Sequence, residues 1–130
     1  MSLEARLYTQ LTTYPALLAL TGARWSPSQL PQNEPLPAGT YLRVSTAPVL
    51  AHDAATPAYS VARFQLDGWA ADYDGMLALR KAVREAMGAW RLPAAPRVDV
   101  ALLAGDWDTL EAEPGRWRCT LDFMISYEED

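Results

Sequence analysis

The sequence predicts an α+β fold, a two-layer sandwich in which a mainly antiparallel four-stranded sheet is covered on one face by helices, in the order ααββαββ. Three observations predict it. Residues 116–127 alternate strictly, with Trp117, Cys119, Leu121, Phe123, Ile125 and Tyr127 on one side and Arg118, Thr120, Asp122 and Ser126 on the other. Residues 73–90 place Met76, Leu79, Val83, Ala86, Met87 and Trp90 on one stripe at helical spacing. The remaining alternating segments come in pairs before and after that helix, which suits an antiparallel sheet with one covered face. The chain has 130 residues, half of them apolar. This suits one domain, 1–130, able to bury about two-thirds of its unfolded surface without metal or disulfide.

Residues 2–12 predict an amphipathic helix, with Leu3, Leu7 and Leu11 every four residues, Ser2 as N-cap and Glu4 at the positive end of the dipole. Pro15 opens a second short helix to Thr21, and Gly22 stops it. Residues 23–39 hold Pro27, Pro31, Pro35 and Pro37 and read as a loop arm; Trp25, Leu30 and Leu36 within it argue against disorder. Thr40–Thr46 predicts a half-buried strand with Leu42 and Val44 on one side and Tyr41, Arg43 and Ser45 on the other. Residues 47–58 are a second arm. Tyr59–Ala70 is the next strand, with Ala62, Phe64 and Leu66 sharing a face and a bulge at Gly68 turning Trp69 coreward. Asp72 or Asp74 caps the long helix, which Pro93 and Pro96 close. Arg97–Leu103 alternates Val98, Val100 and Leu102 against Arg97, Asp99 and Ala101, and Gly105–Gly115 forms a long hairpin tip to the last strand.

The inventory argues against catalysis. There is one cysteine and one histidine, so an intrachain disulfide and zinc sites needing paired Cys or His are excluded. No apolar run approaches the roughly 20 residues that span a bilayer, and MSLEAR lacks the basic and apolar regions of a secretory signal, so no membrane partner is expected. The glycines form no phosphate-loop spacing, so no cofactor is expected. Asp72 and Asp74 read as capping residues, Asp106, Asp108, Glu111 and Glu113 as a solvated tip without the ligand spacing of a calcium loop, and Cys119 as a buried apolar group. His52, between Ala51 and Asp53, has no nucleophile motif beside it. A net charge of −5 argues against a sequence-independent grip on nucleic acid.

Candidate contact residues remain. Trp25, Leu30, Leu36, Val49 and Leu50 either fold back over the sheet or bury against a partner, since proline-stiffened arms with apolar anchors lose little entropy on docking. Trp107 in the hairpin tip joins them. Arg80, Lys81 and Arg84 form a basic helix flank, either a solvated face or a contact to an acidic surface of another subunit.

Three segments, MSLEARLYTQLTTYPALLALTGARW, VARFQLDGWAADYDGMLALRKAVREAM and RWRCTLDFMISY, resemble the tail completion, or tail terminator, proteins of long-tailed (siphovirus-like) bacteriophages and related prophages. The resemblance covers almost the whole chain and carries no active-site motif. It implies a structural protein, not an enzyme, that forms a hexameric ring, caps the tail tube, stops its polymerisation and offers a docking surface to the head–tail connector. It places the protein at the head-proximal end of the virion tail after assembly in the host cytoplasm, with DNA passing through the lumen without specific binding. Two other readings stand beside it: another neck or minor tail protein of the same particle, and a small-ligand-binding α+β module using a cleft beside Trp69 and Trp90.

Overall fold

A computed structural model describes residues 2–49, 59–94, 96–112 and 115–128. Helices α1 (Leu3–Thr13) and α2 (Pro15–Thr21) open the chain. They are followed by β1 (Trp25–Pro27), β2 (Ala38–Val49), β3 (Tyr59–Ala70), α3 (Tyr73–Gly88), β4 (Arg97–Glu111) and β5 (Arg116–Glu128). The sheet has five strands in the order β1-β2-β3-β5-β4, antiparallel except for the parallel pair β1-β2.

The two-layer α+β class holds, and the four-stranded count does not. The fifth strand, β1, lies inside the arm predicted at 23–39. Trp25 drives it: the indole is only 4 % exposed, its Nε1 donates to Thr21 Oγ1 at 2.9 Å, and it lies against Gly39, where a Cβ would clash with the ring. The strand predicted at 40–46 runs from Ala38 to Val49, so the second arm begins as strand; its residues 50–58 fall outside the described residues.

The helix termini follow local chemistry. Ser2 Oγ accepts from the Ala5 amide at 3.1 Å, Pro15 stands at the first turn of α2, and Gly22 ends it at φ 55°. Asp72 Oδ1 accepts from the Gly75 amide at 2.7 Å and starts α3, which ends at Gly88, two residues before Trp90.

One core fills the space between helices and sheet. Leu3, Leu7, Leu11, Leu17, Met76, Leu79, Val83, Met87 and Trp90 meet Ala62, Phe64, Leu66, Cys119, Leu121, Phe123 and Ile125. The faces predicted for β3 and β5 are those observed, in register Phe64↔Phe123 and Leu66↔Leu121. The bulge expected at Gly68 is absent: pairing runs unbroken through Gly68↔Cys119 and Trp69↔Arg118, so Trp69 stays on the face away from the helices. Gly68 has another reason to be small, because a Cβ there would press on Leu79 of α3.

Three bulges do occur elsewhere, at Arg43/Ser45 in β2 and at Val98/Val100 and Leu103/Gly105 in β4. In β2, Leu42 opposes Gln65 on the face away from the helices and the shift at Arg43/Ser45 leaves Val44 unpaired, so both are exposed while Tyr41 packs against the core and Arg43 sits over Phe64. The first of the two in β4, at Val98/Val100, inverts the parity of the strand, so Val98, Ala101 and Leu103 face inward and Leu102 faces out.

Candidate functional site

The helices occupy one face of the sheet, and the other face carries an array of charged and polar side chains. Its centre is Asp67, whose side chain is 7 % exposed. Its Oδ1 accepts from Thr120 Oγ1 at 2.5 Å and Arg118 Nε at 3.1 Å, and its Oδ2 from Gln65 Nε2 at 2.8 Å. Strand register makes this possible, because Asp67 and Thr120 are directly opposed across β3 and β5. One pair further along, Arg63 grips Asp122 through both carboxylate oxygens at 2.8–3.1 Å.

Towards the other end, Glu111 accepts from Trp69 Nε1 at 3.1 Å and Arg116 Nε at 2.6 Å, with Arg118 at 3.8 Å. The guanidinium groups of Arg116 and Arg118 lie 5.7 and 5.2 Å from the Trp69 ring centroid. Arg63, Arg116 and Arg118 are thus each set against a carboxylate, as is Arg97 against Asp99 and Glu128. Fixed ion pairs of this kind offer no free base or nucleophile.

Glu111 therefore belongs to the sheet face and not to a solvated tip, because β4 continues through Gly105–Glu111 as paired strand. Asp108 is also engaged, in an ion pair with Arg80 of α3. Cys119 is fully buried, and burial pushes its thiol up to about 11, so it is a protonated filler at neutral pH. Among the described residues no cluster of three His, Cys, Asp or Glu is placed to hold a metal ion, and no helix is long and apolar enough to cross a membrane. His52 and Glu113 lie outside the described residues.

The candidate contact residues are dispersed. Trp25 belongs to the chain's own core, which removes the reason for assigning it to a partner. Leu30 and Leu36 are half-buried and line a groove of about 440 Å³ with Pro31, Ala71 and Arg116, so this arm folds back towards the start of β5. Leu50 lies outside the described residues, and Val49 is exposed at the end of β2. Trp107 is exposed on β4. Lys81 and Arg84 are exposed on α3 beside a groove of about 410 Å³ that they line with Leu77, Arg80 and Glu85; they form no ion pair among the described residues. The cleft expected beside Trp69 and Trp90 is not formed, because Trp90 is sealed in the helix-side core and Trp69 lies on the opposite face.

The model of the family described as tail completion protein gp17 matches residues 5–128. The chain belongs to that family. Tail completion proteins are structural phage tail proteins and not a class of enzymes. Among solved structures the chain resembles one from "Virion of native gene transfer agent (GTA) particle", with a TM-score of 0.72 and 23 % identity over 98 % of this chain and 95 % of that one. At that identity the likeness speaks for a shared fold. The search of curated proteins gives no match.

The tail completion fold leaves two strand edges open. β1 covers β2 only at Gly39–Tyr41, so Leu42–Val49 has β3 on one side and no strand on the other among the described residues. β4 pairs with β5 on one side, and among the described residues its other edge is met only at Val98, by a bridge to Leu92. Sequence reasoning placed strands at 40–46 and 97–103 but did not find how far the edges run, because their continuations, 47–49 and 105–111, were read as loop. The available signal was the apolar side chains there, Val49 and Trp107, which were singled out without a strand to carry them.

Proposed function

We propose that this tail completion protein caps the tail tube as a hexameric ring, ends tube polymerisation and presents the surface to which the head–tail connector docks, at the head-proximal end of the tail. The match to the tail completion family over residues 5–128 carries this reading. The mechanism is geometric. One ring face matches the last ring of tube protein, and the other cannot accept another tube subunit. Subunits meet head to tail, a heterologous contact that closes when its rotation closes. Leu30, Leu36, Leu50, Trp107, Lys81 and Arg84 are the contact residues of this proposal, with Arg80 anchoring the basic flank through Asp108.

DNA passes the lumen without specific binding. Six copies at −5 carry a charge of about −30, and Arg63, Arg97, Arg116 and Arg118 of the open sheet face are matched by carboxylates, so neither gives phosphates a strong hold. Native mass spectrometry with negative-stain imaging of purified tail tubes tests the proposal. Six-fold rings that seat on tube ends and block further growth are expected. A protein that stays monomeric at high concentration and leaves tubes uncapped sinks it, and rings that bind elsewhere on the particle favour another neck or minor tail protein.

A further inference from the structure

We infer that β4 of one copy adds to the open edge of β2 in a second copy, so that the sheet continues across the subunit boundary; this rests on the ring reading above and names its contact. The first observation is where exposed apolar groups collect. Of the ten large apolar side chains exposed among the described residues, six sit on these two strands: Leu42, Val44 and Val49 on β2, and Leu102, Trp107 and Leu110 on β4, at 43 to 59 % exposure. None of the described side chains on the central strands β3 and β5 is among them. The same two strands hold the unpaired backbone edges, and an edge with free N–H and C=O groups is a template for another strand.

The second observation is a vacant place in line with β1. That strand stops at Pro27, and the chain turns away at Ser28 with φ 64°. A groove of about 280 Å³ remains at the turn, lined by Glu4, Pro27, Ser28, Tyr41, Leu42 and Arg43. It lies at the point where the open part of β2 begins. An incoming strand placed there continues the row that β1 starts.

The third observation is polarity. The order β2-β3-β5-β4 is antiparallel at every step, so β4 runs opposite to β2. Rotation about an axis along the strands preserves their direction, and β4 of one copy therefore meets β2 of the next antiparallel, the more stable ladder. The two edges differ, so the contact is heterologous and cannot be satisfied by a two-fold dimer. The stretch of β4 after its second bulge, Gly105–Glu111, is regular and carries Trp107 and Leu110. It is the segment assigned to the partner's Leu42–Val49 edge.

Two variants block one edge each, L42K/V44K on β2 and W107K/L110K on β4. All four side chains are exposed, and unchanged melting of each variant verifies that it folds. Native mass spectrometry should show each variant alone at least tenfold weaker in self-association than the wild type. Their mixture should give 1:1 heterodimers that do not grow, since one open β4 meets one open β2. In the wild-type ring, amides of 42–49 and 105–111 should exchange at least tenfold more slowly than in the monomeric variants. Variants that form rings and cap tubes like the wild type overturn the strand pairing and leave the ring reading intact. So do a mixture that stays monomeric, a homodimer of either variant, or edge amides unprotected in the ring. A wild type that never forms rings overturns both.

Discussion

Alternate residues of β3 and β5 live in two different media. Ala62, Phe64, Leu66, Leu121, Phe123 and Ile125 point to the helices and are buried in a continuous apolar core. Their immediate neighbours Asp67, Thr120 and Asp122 point the other way, have no helix above them, and are nearly as inaccessible. The first face excludes water with methylene and aromatic groups. The second excludes it with arginines that bond the carboxylates beneath and, at Arg116 and Arg118, lie over Trp69. The comparison teaches that inaccessibility on the open face is held by specific pairs, each of which fails when one member is removed. On the helix face it is held by volume, and the loss scales with the atoms deleted.

The largest break is therefore expected on the helix face. Phe64→Ala removes a fully buried ring from the core between the helices and the sheet, and should cost about 3–5 kcal/mol in urea or thermal unfolding. A loss below about 1 kcal/mol would show that the core collapses around the gap and that the two faces are less different than described. On the open face, Asp67→Ala strands Thr120, Gln65 and Arg118 together. Arg118 is 32 % exposed and can recover water, so the expected loss is smaller, about 2 kcal/mol. Asp67→Asn, which keeps the acceptor oxygen and removes the charge, should fall between wild type and alanine.

Legibility in the sequence divides along similar lines. The helix-side faces of β3 and β5 were readable because these are central strands with unbroken register, and each apolar residue reports one face. The caps Ser2 and Asp72 were readable because a cap is local chemistry. β1 was not, since its three residues sit among prolines and owe their strand to the distant contact of Trp25 with Gly39 and Thr21. The outward turn of Leu102 was hidden by the bulge at Val98/Val100, which shifts parity without a marker in the residue types. On the open face the alternating charges were visible, but which carboxylate meets which arginine depends on register across three strands. Glu111 was therefore misread as a tip acid when it is the shared partner of Trp69, Arg116 and Arg118.

Cys119 probes the helix face without deleting volume. Its thiol is raised to about 11 from 9.0, by burial first, so the folded state disfavours the thiolate. Between pH 9 and 11 the unfolded chain loses this proton and the folded chain keeps it, so stability is full below pH 9 and declines as pH rises through that window. The urea midpoint of wild type should fall more steeply over that range than that of Cys119→Ala. At pH 8 a thiol reagent should label the protein only as fast as it unfolds. Rapid labelling of folded protein would mean that the face opens locally.

The smallest effect is expected where the open face meets water most fully. Arg63 holds Asp122 through both oxygens, yet its own side chain is 48 % exposed while that of Asp122 is 12 % exposed. Removing the arginine lets water replace it on one side, and an exposed pair contributes about 0–1 kcal/mol. Arg63→Ala should therefore sit at the low end, and raised salt should shrink the difference further. The informative contrast is with Asp67→Ala, because both break a guanidinium–carboxylate pair on the same sheet face one register step apart. If Arg63→Ala costs as much as Asp67→Ala, the open face behaves as one cooperative network whose members fail together. If it costs little, the face is a set of independent pairs graded by depth, with Asp67 as its only deeply committed charge, and the edges of the sheet can be altered without disturbing its centre.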